Sequence, residues 1–209
     1  MTILLADDHF MTLEGYISIL NDESNTYIKA QNCEELYSQI LCLDQLDVAI
    51  IDYDMPVYEE QNISSGLDCT SMIKERFPYC NIILITAHEE AFILYGIYRN
   101  KTIDALIVKS DFSAKTLQDL IFNNKGSEPF YSPIAKESIK KVIAKNTLLD
   151  PKNREILMYL SHGYKITQLE SFVFLSVSAI QKRISKMLHE FNVTDYQELI
   201  QIIKQNQLL

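Results

Sequence analysis

The chain has 209 residues, 47% of them hydrophobic, enough to bury one full core and leave residues for a small second domain. Its net charge of −9 argues against a nucleic-acid partner for the chain as a whole, but the charge is uneven: 20 Asp or Glu stand against 8 Lys or Arg through Lys125 (−12), and 8 against 11 from Gly126 onward (+3). No segment approaches the run of about 20 apolar residues that spans a bilayer, the opening run Ile3 to Ala6 has neither basic flank nor cleavage site, and Cys33, Cys42, Cys69 and Cys80 lack metal-ligand spacing, so a soluble, non-exported protein with free thiols in a reduced cytoplasm is expected.

In chain order, Thr2 to Ala6, Tyr27 to Ala30, Asp47 to Ile51, Asn81 to Ile85 and Ile103 to Val108 read as strands, with amphipathic helical patterns between them. Strands bracketed by helices imply βαβ units with right-handed crossovers. The expected first domain is therefore an α/β, doubly wound, five-stranded parallel sheet. Between Asn123 and Thr147 turn formers give way to a lysine-rich helix from Ile134 to Lys145. From Pro151 to Gln205 the pattern reads as four short helices, a small all-α domain. The expected domains are residues 1–124, a linker at 125–147, and residues 148–209.

In a doubly wound fold the functional crevice lies at the carboxyl ends of the strands. Asp7 and Asp8 follow the first apolar run, Asp52 the third, Thr86 the fourth and Lys109 the fifth. A carboxylate attacks phosphorus only if its repulsion with the incoming phosphoryl group is neutralised. Mg²⁺ held by Asp7, Asp8 and Asp52 would do that. Lys109 would add a positive charge and Thr86 a hydroxyl donor. Plainer readings exist: Asp7-Asp8 as a helix cap, Lys109 as a solvated lysine, His9 and His88 as helix-start or surface residues.

Leu5-Ala6-Asp7-Asp8-His9, Ile51-Asp52-Tyr53-Asp54-Met55-Pro56, Leu84-Ile85-Thr86-Ala87 and Val108-Lys109-Ser110 occur in this order, each at a strand end. With them, the stretch from about Thr2 to Asn123 resembles the receiver domains of two-component response regulators, which have a flavodoxin-like fold. The resemblance implies that Asp52 accepts a phosphoryl group from a sensor histidine kinase. It implies Mg²⁺ on the side chains of Asp8 and Asp52 and the backbone carbonyl of Asp54, with Asp7 assisting through water. Thr86 and Lys109 would rearrange on phosphorylation, shifting a pre-existing equilibrium. Two departures stand out. The position three before the lysine, usually an aromatic switch residue, is Leu106. An expansion at Val57 to Ser65, with Glu59-Glu60, delays the expected glycine to Gly66; it reads as a longer surface loop or as a cover that alters metal access.

Asp150 before Pro151 reads as an N-cap with proline at the first helical position, and Gly163 as a helix stop. Ile180, Ile184, Met187, Leu188 and Phe191 recur at helical spacing and form a buried stripe, while Gln181, Lys182, Ser185 and Lys186 share the opposite face, flanked by Arg183. From Leu149 to Val193 the chain resembles helix-turn-helix domains of the LuxR/NarL type. That resemblance implies Gln181 and Lys182 as base readers, and Lys165, Thr167, Ser176 and Lys186 as phosphate contacts, with Arg183 and Ser185 on the same DNA-binding surface. The family usually has a polar residue in place of Val177 and threonine in place of Ala179. The final helix, Asp195 to Gln205, would supply a dimer contact.

The expected function is that of a response regulator, active as a homodimer on double-stranded DNA. It is not an enzyme in the usual sense, although it takes part in its own phosphorylation and dephosphorylation. Two alternatives stay open. One is a receiver-like transcription regulator independent of phosphorylation, motivated by Leu106 and the Glu59-Glu60 insertion. The other is a phosphatase using Asp52 and Asp54, whose motif would follow the first strand and not the third.

Overall fold

In the computed structural model residues 1–123 and 128–209 are described, and the chain divides into two units, residues 1–88 with 97–135 and residues 89–96 with 136–209. The expected boundary at 124/125 lies outside the described residues.

The first unit is built on strands β1 (Thr2–Ala6), β2 (Thr26–Ala30), β3 (Val48–Asp52), β4 (Asn81–Thr86) and β5 (Ala105–Val108). A sixth strand, β6 (Phe130–Tyr131), joins them in the order β2-β1-β3-β4-β5-β6, every pair parallel. The four central strands, β1, β3, β4 and β5, are buried on both faces, which is why they read as continuous and not alternating, while the edge strand β2 is only partly buried. Ile3, Leu5, Ile50, Ile83, Ile85 and Ile107 pack on one face with Leu13, Tyr16 and Leu20 of α1 (Phe10–Leu20) and with Leu117 of α5 (Ala114–Gln118). Alternate residues, Leu4, Ala49, Ile51, Ile82, Leu84 and Leu106, are buried on the other face. Helices α2 (Cys33–Cys42), α3 (Gly66–Arg76) and α4 (Ala91–Arg99) complete the crossovers.

Among the described residues the sheet therefore has six strands, not five. Residues 125–147, read as a linker, contain β6 and the whole of α6 (Pro133–Ile143). Two residues are too short for any periodicity to show. What holds them is pairing with the exposed edge of β5, where Phe130 and Tyr131 lie opposite Ala105 and Leu106, together with the Val108 N–H donating to the buried Ser132 hydroxyl at 3.1 Å.

In the second unit α6 is followed by a 3₁₀ turn at Asn146–Leu149 and by α7 (Pro151–Ser161), α8 (Glu170–Val173), α9 (Val177–Phe191) and α10 (Tyr196–Gln205). Side-chain caps fix the starts: Asp150 accepts from Lys152 N–H, Ser176 from Ala179 N–H, and Asp195 from Gln197 and Glu198 N–H. Asn192 ends α9 in the left-handed region at φ 56°, and Gly163 follows α7 at φ 88°. Ile180, Ile184 and Met187 form the buried stripe of α9; Leu188 and Phe191 are half-buried.

Candidate functional site

The parallel register brings the ends of four strands into line: Ala6 lies opposite Ile51, Asp52 opposite Ile85, and Thr86 opposite Val108. The next residue of each strand thus emerges at the same edge. Asp7 and Thr86 are fully buried there and Asp52 is 4% exposed, while Asp8 and Asp54 reach solvent. Lys109 Nζ donates to Asp52 Oδ2 at 2.9 Å and to Asp7 Oδ2 at 3.3 Å. Asp7, Asp8, Asp52, Asp54, Thr86 and Lys109 thus lie together at the carboxyl ends of these strands.

Burial pushes the Asp52 carboxyl up to about 6; Lys109 pulls it down, and the neighbouring charges of Asp7 and Asp54 raise it further. Burial alone would lower Lys109, but its hydrogen bonds and charge contacts with Asp52 and Asp7 hold its ammonium above the usual lysine range. Asp52 Oδ1 is buried with no hydrogen-bond partner. A buried carboxylate oxygen without a partner is costly unless something cationic completes it. The ligand atoms of Asp7, Asp8 and His9 lie within 4.8 Å of one another. This oxygen-rich donor set beside an orphaned carboxylate oxygen fits a hard divalent cation.

Two histidines lie closer to this crevice than their plain readings implied. His9 Nδ1 is 2.6 Å from Asp8 Oδ1. His88 Nε2 is 3.2 Å from Asp54 Oδ2, its ring meets Tyr53 edge-on at 5.6 Å, and its backbone N–H donates to Thr86 Oγ1 at 3.1 Å. Tyr16 was not foreseen at all. Burial, then Asp7 and Asp52, raise its hydroxyl above the usual tyrosine range.

The expansion after Pro56 is a small built hairpin. Tyr58 bridges Ile63 in antiparallel fashion around a 3₁₀ turn at Glu59–Gln61, Asn62 takes φ 54°, and the Tyr58 ring meets Tyr37 of α2 edge-on at 5.8 Å. Gly66 follows, and its place is dictated by contact: a Cβ there would lie 2.1 Å from the Asp52 carbonyl oxygen and 2.5 Å from Ile51 Cγ2. At the expected switch position, Leu106 is fully buried, and its strand partner Tyr131 packs against Tyr98 at 5.6 Å.

In the second unit Gln181, Lys182, Ser185 and Lys186 are all exposed along one side of α9, and Lys165, Thr167 and Ser176 are exposed ahead of it. Arg183 differs: it is half-buried, and Nη1 donates to Asp150 Oδ2 at 2.5 Å and to Asn153 Oδ1 at 2.9 Å. A cleft of about 500 Å³ lies beside it, lined among others by Asn146, Thr147, Ala179, Lys182 and Lys186. Phe174, in the turn before Ser176, is 84% exposed at φ 54°.

Residues 3–121, more than half of the chain, match the family model described as response regulator receiver domain. The chain is 26% identical over 223 residues to the oxygen regulatory protein NreC of Staphylococcus carnosus, covering 100% of this chain and 99% of that protein. It is 25% identical over 222 residues to NreC of Staphylococcus epidermidis, with the same coverage. Among solved structures it is similar to RcsB, as two dimers bound to two parallel DNAs, with TM-score 0.66, 23% identity and 98% of each chain covered. It is also similar to RcsB of Salmonella enterica serovar Typhimurium bound to a promoter in the presence of phosphomimetic BeF3−, with TM-score 0.65, 21% identity, and 100% of this chain and 99% of that chain covered. At those identities the structural likeness establishes the fold, from the parallel sheet through the C-terminal helices.

Proposed function

The chain belongs to the response regulator receiver family, and from that premise we propose a DNA-binding regulator of transcription, switched by phosphorylation of Asp52. The observation that carries the switch is the geometry at Asp52, a nearly buried carboxylate with one oxygen on Lys109 and the other without a partner. Asp7, Asp8, Asp52 and the backbone carbonyl of Asp54 are the groups that would hold Mg²⁺, which supplies positive charge against the incoming phosphoryl oxygens. Lys109 then orients the acceptor and neutralises its charge. Thr86, two residues from His88 and buried at the end of β4, would donate to a phosphoryl oxygen. Leu106, buried in β5 between Leu84 and Tyr131, takes the place of the aromatic residue usual at that position.

Support for DNA as the partner comes from the capped helix α9 with its exposed Gln181, Lys182, Ser185 and Lys186, and from the RcsB–DNA complexes that share this fold. A sensor histidine kinase is the phosphoryl donor in this reading, and a homodimer is the active species on two half-sites. The protein works in the cytoplasm, without catalysis beyond its own phosphorylation and dephosphorylation. Among the described residues no helix is long and apolar enough to cross a membrane. The test is intact-mass analysis after incubation with Mg²⁺ and acetyl phosphate. One phosphoryl adduct in the wild type, absent in Asp52→Asn, supports the reading. If the wild type takes up neither phosphoryl nor beryllofluoride, phosphorylation control is refuted and the constitutive alternative gains.

A further inference from the structure

Helix α9 is fastened at two points to the segment before α7 and to the first turn of α7 itself. Near its C-terminal end Glu190 accepts hydrogen bonds from the backbone N–H groups of Asn146 at 2.6 Å and Thr147 at 2.9 Å, and from the Thr147 hydroxyl. Nearer its middle, Arg183 reaches Asp150 and Asn153. Both partners of Arg183 are themselves fixed. Asp150 uses its other oxygen to cap α7 through Lys152 N–H at 2.9 Å. Asn153 is 5% exposed and donates to the Thr147 carbonyl at 2.7 Å. Pulling Arg183 away would leave a buried amide oxygen without its donor, a costly state.

Charge points the same way. With a carboxylate 2.5 Å from Nη1, the Arg183 guanidinium is neutralised within the protein. Burial alone would raise Asp150, but the Arg183 and Lys152 hydrogen bonds hold its carboxyl below the usual range, so the pair stays ionised at neutral pH. A guanidinium already paired with a carboxylate brings no net charge to displace the cations condensed on DNA. Lys182 and Lys186, by contrast, are exposed, and they line the cleft of about 500 Å³ that Arg183 helps to wall.

We propose that Arg183 is a positioning residue that seats α9 through Asp150 and Asn153, and that the adjoining cleft takes a DNA backbone phosphate on Lys182 and Lys186 with Arg183 held off the DNA. This rests on the DNA-binding reading above. It assigns Arg183, which the sequence places on the DNA-binding surface, to the scaffold that orients that surface.

The test is fluorescence anisotropy of the full chain, untreated and beryllofluoride-treated, on a labelled duplex of arbitrary mixed sequence over a series of NaCl concentrations. Each phosphate contact contributes about −0.9 to the slope of log K against log salt. Lys182→Gln and Lys186→Gln should each flatten the slope by about that amount. Arg183→Met should weaken binding roughly two- to tenfold at every salt concentration, the scale of coupling between contacting residues, with the slope unchanged. Arg183→Lys, which keeps a donor to Asp150, should recover most of the affinity. Arg183→Gln keeps an amide donor toward Asp150 without the charge and so carries the test if Arg183→Met does not fold; its slope should equal that of the wild type. A flatter slope in Arg183→Met or Arg183→Gln would show Arg183 contacting phosphate and overturn the proposal. An Arg183→Met variant that loses only melting temperature while binding as the wild type does would reduce the residue to a structural role and also overturn it. Failure of the wild type to bind the duplex in either form is a different result, and it refutes the DNA-binding reading itself.

Discussion

Replacing Asp52 by asparagine should make the unphosphorylated protein more stable at neutral pH, because in the folded state Asp52 is a carboxylate held against its preference. Its value is raised from 3.8 to about 6, first by burial and further by Asp7 and Asp54, with Lys109 offsetting only part of the rise. Each unit corresponds to about 1.4 kcal/mol, so keeping the group ionised costs on the order of 3 kcal/mol relative to its neutral form. Asparagine approximates that neutral form at nearly the same volume. The sign follows from proton linkage. Between about pH 4 and pH 6 the unfolded chain has released the Asp52 proton while the folded one retains it, so this group's contribution falls as pH rises through that window and is flat above it. The stability difference between Asp52→Asn and wild type should be near zero below pH 4, grow through the window, and level off at about 2 to 3 kcal/mol in favour of the variant. Urea denaturation at half-unit pH steps in EDTA measures it directly. A variant no more stable than wild type at pH 7.5, or a difference that does not change between pH 4 and pH 7, would refute the account of Asp52 as a desolvated, under-compensated anion.

The other expectations concern contacts that hold the site in place. Gly66→Ala would drive a methyl group into the Asp52 carbonyl and Ile51, and should cost roughly 1 to 3 kcal/mol or more in chemical denaturation, with a slower rate of acetyl phosphate labelling. Ser132→Ala removes the acceptor of the buried Val108 N–H and should cost about 1 to 3 kcal/mol by thermal melting; an unchanged melting temperature would mean β6 contributes little to the sheet. Glu190→Gln weakens the acceptor of the Asn146 and Thr147 N–H groups and should cost about 1 kcal/mol. Burial would raise Glu190, but those bonds hold its carboxyl below the usual range. Its contribution is therefore present at neutral pH and lost as pH falls through the folded-state value, so the variant's deficit should shrink in acid.

Much of the site was legible because strand-end chemistry leaves a plain mark. Asp7-Asp8, Asp52, Thr86 and Lys109 each interrupt a run of apolar residues, and an ionisable side chain there has to sit at a sheet edge or break the core. The two-residue strand β6 was not legible. Its pairing with Ala105 and Leu106 depends on an open edge 25 residues back along the chain from Phe130, and local pattern contains no term for that. His88 and Tyr16 were missed for a related reason. His88 reads as a helix-start or surface residue and Tyr16 carries no mark of its own, and only the packing of α1 and the β4–α4 loop around Asp7, Asp52 and Asp54 gives them neighbours that matter.

By itself, then, the sequence determined the order of elements, the buried strands and the crevice residues, since these follow from periodicity, caps and the cost of burying charge. The tertiary structure decided which charges are free to act. Arg183 and Lys182 are adjacent basic residues in the same helix, equally polar on paper, yet one is tied to Asp150 and Asn153 while the other is exposed. Helical spacing specifies the direction in which a side chain leaves its own helix. What it meets there depends on residues about 30 positions away in sequence, brought within hydrogen-bond distance only when the helices pack.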